Sequence, residues 1–389
     1  MRVQRAAWLL LWLFVFSLPW EKSLIVPGVG TAARLQGGLA LAAGVCVAIR
    51  RKSVRGPNVV LTLAAAFALW EGATYFWSVA PVATAARAWT LAQLLAMAWL
   101  VWDQCRDAGR PVQLMDAYVW GAAVASAATL ARFAENHQTY YRRYAAAGFD
   151  PNDVALTVAL AIPLALYRSE RARGARAWAY RAAALASIAA ILLTASRTAL
   201  VAAAVGFVFV PLTWGESGRW QRVSSVALVG LLLAGALWLA PAASRARLAS
   251  LGDAGTLHNR TRIWKAGLRA LESHAVLGVG AGAYPEAVRP TLGRPALAGH
   301  EYVAHNTFLS ILVECGAVGF GLFAALAGAL ALFVWMMPRA ERSLWTAMLA
   351  VWAIGVSTLS WEQRKPGWLM LALITTQWAL SFRQPEERA

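Results

Sequence analysis

Apolar runs of roughly 15 to 22 residues, each long enough to cross a bilayer, recur from one end of this chain to the other. With 389 residues, 59% hydrophobic and only 14% charged, the chain has more apolar surface than one soluble core of that size could hide. The sequence therefore predicts an all-α, polytopic membrane protein. Read against the breakers between them, the runs give about twelve transmembrane helices. They lie near Ala6–Trp20, Leu35–Ile49, Asn58–Trp77, Arg87–Trp102, Val112–Phe133, Val154–Tyr167, Ala177–Ala195, Thr198–Trp214, Val223–Leu239, Asn306–Met336, Ser343–Ser360 and Gly367–Phe382. The opening MRVQRAAWLLLWLFVFSLPW begins like a signal peptide, but it lacks a small-residue cleavage site and runs into further spans, so it reads as the first helix. Cys46, Cys105 and Cys315 show no CxxC spacing, which argues against a disulfide framework and against a thiolate metal site.

Placing the amino terminus inside puts RRKSVR, DQCRDAGR, RSERARGARAWAYR, GESGRWQR, PRAER and FRQPEERA in the cytoplasm, as the positive-inside rule prefers. That rule absorbs much of the net charge of +17, which in a soluble protein would suggest nucleic acid; no nucleic-acid partner is expected here. Two longer loops then fall outside, Glu135 to Asp153 and about 240–305. The second is predicted to be largely helical. It carries Arg245, Arg247, Arg260, Arg262, Lys265, Arg269, Arg289 and Arg294 against Asp253, Glu272 and Glu286, before the His-Glu pair at 300. So basic an external loop runs against the topological trend, and an anionic ligand would account for it. With no solenoid period, no linker and no paired halves of the transporter kind, residues 1–389 read as one domain.

Within the large loop, Asn259 to Leu271 fits a short amphipathic helix capped by Asn259. At about 100° per residue, Ile263, Trp264, Gly267, Leu268 and Leu271 share a stripe, and Arg262, Lys265 and Arg269 lie opposite. Those three could simply be snorkelling cations of an interfacial helix. Arg260, in contrast, falls in the middle of the apolar stripe and, if the helix starts there, is expected to point toward the protein or the membrane surface. Arg197 sits where two apolar runs meet, between Ser196 and Thr198, where an isolated cation is costly unless it meets headgroups or an anion. His305 precedes Asn306, a good N-cap for the long helix that follows, and the positive end of that helix disfavours imidazolium. A neutral ring can accept a proton.

No HExxH or DxD is present, and His300 and His305 are five apart, so no divalent cation or other cofactor is expected. GVGAGA, Gly278 to Ala283, lacks the dinucleotide-loop spacing and reads as a turn that passes close to the membrane or a ligand. Glu71 and Glu314 are acids inside spans, each expected to pair with an Arg or polar group of a neighbour; Gly316, Gly319 and Gly321 read as close helix packing.

The order of these motifs is similar to that of the O-antigen ligase and polymerase superfamily, the bacterial membrane glycosyltransferases of the C type. SR at 196–197, R-x-x-x-W from Arg260 to Trp264, GVGAGAY, HN at 305–306 and ECGAVG at 314–319 carry the resemblance. LPWEKSLIVPGVGTAARLQGG, Trp77–Ser78 and DPND at 150–153 extend it over most of the chain. The resemblance implies metal-independent transfer of a polysaccharide from undecaprenyl diphosphate to an acceptor, at the periplasmic face of the bacterial inner membrane. It assigns Arg197 and Arg260 to the diphosphate and His305 to the acceptor hydroxyl, with Arg262 an alternative to Arg260 as the second arginine. Arg262, Lys265, Arg289, Tyr284, Asn306 and Asp150 are candidate substrate-binding residues, and tyrosines at 140, 141, 144, 284 and 302 could face sugar. The expected partners are the lipid-linked donor, the lipid A core acceptor and membrane lipids. A polymerase that extends the lipid-linked chain is the alternative, and a polysaccharide transporter or flippase a third reading.

Overall fold

The computed structural model describes residues 2–28, 30–139, 143–213, 254–293 and 301–382, with isolated positions between 214 and 253. Helices carry nearly all of it: α1 (Arg2–Ser17), α2 (Ala32–Arg51), α3 (Val59–Ala73), α4 (Pro81–Gln104), α5 (Gly109–Ala134), α6 (Pro151–Arg171), α7 (Ala175–Thr194), α8 (Arg197–Thr213), α9 (Ala254–Glu272), α10 (Tyr284–Leu292), α11 (Thr307–Met336), α12 (Arg339–Val356) and α13 (Lys365–Ser381). A two-residue antiparallel pair, Ile25–Val26 with Gly30–Thr31, closes the α1–α2 connection. The chain is an all-α, multi-pass membrane protein.

The structure supports the multi-pass helical architecture but not the count of twelve spans. Among the described residues, six helical segments are long and apolar enough to cross a bilayer: Arg2–Ser23, Ala32–Arg51, Val59–Phe76, Gly109–Ala134, Gly174–Thr194 and Thr307–Met336, with Arg197–Phe207 a shorter apolar helix. The difference lies in polar residues that the apolar runs conceal. Helix α4 carries Arg87 and Asp103 and α6 carries Asp153 and Arg168, each paired with a side chain of opposite charge on another segment. Helix α13 is only 17 residues long. The candidate span Val223–Leu239 lies outside the described residues, its isolated positions apart.

The core is one apolar mass built from α1–α8 and α11–α13, with Trp345 and Trp361 among its largest fully buried side chains. A smaller cluster, Ala266, Val279, Ala283, Tyr284, Val288, Ala304 and Val313, fastens α9 and α10 to the first turns of α11. Ion pairs secure the far end of the bundle, where Arg51 and Arg106 hold Asp103 and Arg168 holds Asp116.

Helix α11 is not continuous. Gly316 has φ 64° and ψ −169°, and a Cβ there would strike the Val276 carbonyl. The break lets 275–280 lie alongside 313–318 with strand-like bonds, Val279 N to Val313 O (3.0 Å), Gly280 N to Glu314 O (2.9 Å) and Ala317 N to Ala275 O (2.8 Å). Gly316 thus serves a chain break rather than helix packing, whereas Gly319 does pack closely, against Trp70. A glycine at Gly321 would have open space around an added Cβ.

Candidate functional site

His305 is held from two sides. Asn306 caps α11 as its sequence suggests, its Oδ1 accepting from Leu309 N at 3.0 Å, and Thr307 Oγ1 bridges Leu359 O and Trp361 N at 2.8 Å each. His305 itself has φ 47°, in the left-handed region that costs a non-glycine residue about 1–2 kcal/mol. The backbone before it is pinned by the Trp264 indole, whose Nε1 donates to the Ala304 carbonyl at 2.7 Å. The half-buried imidazole is held below its ordinary pKa, first by loss of solvent and then by the Arg260 charge, against the opposing pull of Asp150 and Asp153. Burial and the Arg260 charge thus favour the neutral ring.

Arg260 lies on the partly buried face of α9, and its charge is felt by His305. Arg260, Ile263 and Trp264 are half-buried and Ala266 and Gly267 buried, while Arg262, Lys265 and Arg269 are exposed, the division that helical period alone dictates. Of the two arginines, Arg260 is half-buried and its charge acts on His305, while Arg262 is exposed. Two expectations need correction. Leu268 is 48% exposed, outside the buried stripe. Asn259 is no cap, since α9 begins at Ala254, five residues earlier.

Tyr284 lies under α9, 1% exposed, with its hydroxyl donating to Ile263 O at 3.0 Å and its ring filling the space over Gly267. Burial, then the nearby Glu314, push its phenol above the usual range. It is a strut that sets the height of α9 rather than an open sugar platform. Tyr144 is buried too, Tyr302 is half-buried, and Tyr140 and Tyr141 lie outside the described residues, as do Arg294 and His300. Arg289 is exposed and paired with Glu286 at 2.6 Å, one turn along α10.

Arg197 opens α8 directly after Ala195, whose φ of 48° ends α7 in a left-handed turn. A residue that sequence reasoning passed over ties this turn to the acids beside His305. Buried Arg143 donates from Nε to Thr194 O (2.6 Å) and from Nη2 to Asn152 Oδ1 (2.8 Å). Asp150 caps α6, its Oδ1 accepting from Asn152 N (2.7 Å) and Asp153 N (3.4 Å). Asp153 is a second omission. It receives Lys22 (3.1 Å), Arg364 (2.8 Å) and the Trp361 indole (3.3 Å), so the α1–α2 and α12–α13 connections meet at the same end of the bundle.

Beneath this end, Glu314 pairs with Arg87 at 3.6 Å, as an acid inside a span would require. Arg87 also binds Glu362 at 2.6 Å. Glu314 in turn accepts from Gly282 N (2.9 Å) and Tyr284 N (3.3 Å), fixing the GVGAGA loop. That loop does make a close approach, but to protein: Gly278 (φ 76°) lies on the Glu314 backbone and Gly280 (φ 110°) on Ser78. Glu71 is buried near Arg87 and leaves its Oε2 without a hydrogen bond. Among the described residues, no three His, Cys, Asp or Glu side chains converge as metal ligands.

Comparison with curated proteins returns no match. The family model described as O-Antigen ligase matches residues 182–324, from within α7 to the middle of α11. The stretch that holds Arg197, Arg260 and His305 is thus similar to the O-antigen ligase family.

Proposed function

We propose that the chain is an O-antigen ligase that transfers polysaccharide from undecaprenyl diphosphate to the lipid A core, at the periplasmic face of the bacterial inner membrane. The observation that carries the reading is His305 held at a strained, pinned backbone position, its imidazole shifted toward the neutral form by burial and the Arg260 charge, inside a stretch that matches the O-antigen ligase family. The acceptor hydroxyl gives its proton to the His305 ring as its oxygen bonds to the anomeric carbon, and the bond from that carbon to the diphosphate oxygen breaks. General-base assistance of this kind contributes typically about 10² to 10⁴ in rate. The departing diphosphate gains negative charge, which Arg260 and Arg197 offset as permanently charged, bidentate donors. Asp150 and Asp153 keep the ring's pKa from falling further, so the proton it takes is held. Arg262 and Lys265, exposed on the outer side of α9, offer charge to a phosphorylated acceptor.

The test has two parts. In a reconstituted assay, Arg197→Ala, Arg260→Ala and His305→Ala should each abolish transfer while the protein still inserts, and wild-type transfer should persist in EDTA. Near-normal transfer by either arginine variant would remove the diphosphate clamp from the mechanism. Deletion followed by lipopolysaccharide gels then separates the two transferase readings: a ligase loss leaves long lipid-linked chains and bare core, a polymerase loss leaves core bearing a single repeat. A flippase would show no dependence on His305.

A further inference from the structure

A trough of about 710 Å³ runs between α2 and α4, away from the helix pair that the site residues occupy. Its walls are apolar and notched by small residues: Gly37, Gly38 and Leu41 on α2 face Leu94, Met97 and Leu100 on α4. Gly38 has open space where a side chain would be, and the two helices close on each other further along, at Gly44 against Leu100. One end of the trough is cationic. Lys22, Arg34, Arg364 and Lys365 line it, against the single acid Glu21, which pairs with Lys365. Two of these cations, Lys22 and Arg364, bind Asp153, whose charge is felt by His305. An apolar furrow thus ends in positive charge.

We infer that this trough seats the polyprenyl chain of a lipid diphosphate, with Lys22, Arg34, Arg364 and Lys365 drawing in its phosphate end. The identity of the lipid rests on the transfer reading above; the trough and its charge do not. A molecule that is a hydrocarbon along its length and multiply anionic at one end is complementary to both parts at once. The shape selects the donor over the acceptor. A furrow between two helices takes one chain, whereas lipid A spreads several acyl chains side by side.

The test uses the full-length protein in phosphatidylethanolamine–phosphatidylglycerol vesicles, with p-benzoylphenylalanine placed at position 41 and, as control, at 332, where Leu332 is 56% exposed on α11. With radiolabelled undecaprenyl diphosphate and no acceptor present, irradiation should label the position-41 protein and leave the position-332 protein near background. Unlabelled undecaprenyl diphosphate should compete and lipid A core should not. Arg34→Glu, a change at an exposed side chain, should lower labelling at least tenfold. Equal labelling at both positions, competition by lipid A core, adducts with phospholipid only, or full labelling of the Arg34→Glu protein would each overturn the inference. Labelling needs no transfer: a chain that labels but does not ligate loses the ligase reading alone, and one that ligates without labelling loses this inference alone.

Discussion

Trp264→Phe tests whether the α9 helix positions Arg260 for His305 or merely packs beside it. The indole N–H donates to the carbonyl of Ala304, itself 1% exposed, and phenylalanine keeps an aromatic ring there without the donor. Losing one neutral hydrogen bond costs about 0.5–1.5 kcal/mol, and leaving a buried carbonyl unpaired raises this to about 1–3 kcal/mol. That is a modest drop in melting temperature for a bundle of this size, and the protein should still insert. The consequence for catalysis is larger. Trp264 lies one turn after Arg260 on the same face, and Ala304 precedes the strained His305, so the bond fixes the spacing between cation and imidazole. A shift of about 1 Å between reacting groups can cost about 10²-fold in rate. Transfer by Trp264→Phe should therefore fall 10- to 100-fold, roughly, while melting in detergent shifts by only a few degrees. A variant that melts earlier but transfers at the wild-type rate would show that the bond stabilises α9 without orienting the site.

The remaining tests address separate links. Because the Arg260 charge depresses the His305 pKa, Arg260→Gln should let that pKa rise toward its ordinary value. More imidazole is then protonated at a given pH, so the acidic limb of whatever transfer persists should move to higher pH; an unmoved limb would separate the two residues. Asn306→Ala removes the Oδ1 that accepts from Leu309 N and should cost about 1 kcal/mol of stability, read as a lower melting temperature, with Asn306→Asp largely restoring it. Gly278→Ala places a methyl group against the Glu314 backbone at a positive φ and should destabilise by about 1–3 kcal/mol, displacing the loop that Glu314 holds; an unchanged melt would refute the close approach. Arg87→Gln leaves Glu314 and Glu362 buried without their cation and should cost about 3–5 kcal/mol, measured by thermal aggregation, with Arg87→Lys recovering only part of it.

What the sequence disclosed of this site followed from local geometry. Arg260 could be separated from Arg262 before any coordinates because both sit on one helix and 3.6 residues per turn assigns them opposite faces; the structure has Arg260 half-buried and Arg262 exposed. Asn306 was legible for the same kind of reason, since a cap bonds to an amide three residues away. Nothing local marks Asp153 as the meeting point of Lys22 and Arg364, because those partners are 131 or more residues away in the chain. Arg143 was hidden in a basic run, YYRRY, where solvated charge is the ordinary expectation, yet it is 3% exposed and binds two segments. The same limit applies to α4 and α6, for hydropathy weighs them by composition and cannot know that Arg87 and Asp153 are neutralised from across the bundle. It explains Gly316 as well: a glycine amid apolar residues satisfies both a packed helix and a broken one, and only the 275–280 segment, some forty residues upstream, decides between them. Asp153 likewise gathers Lys22 and Arg364 from distant parts of the chain, so Asp153→Asn should loosen both cations at the end of the α2–α4 trough, a consequence that no motif of neighbouring letters carries.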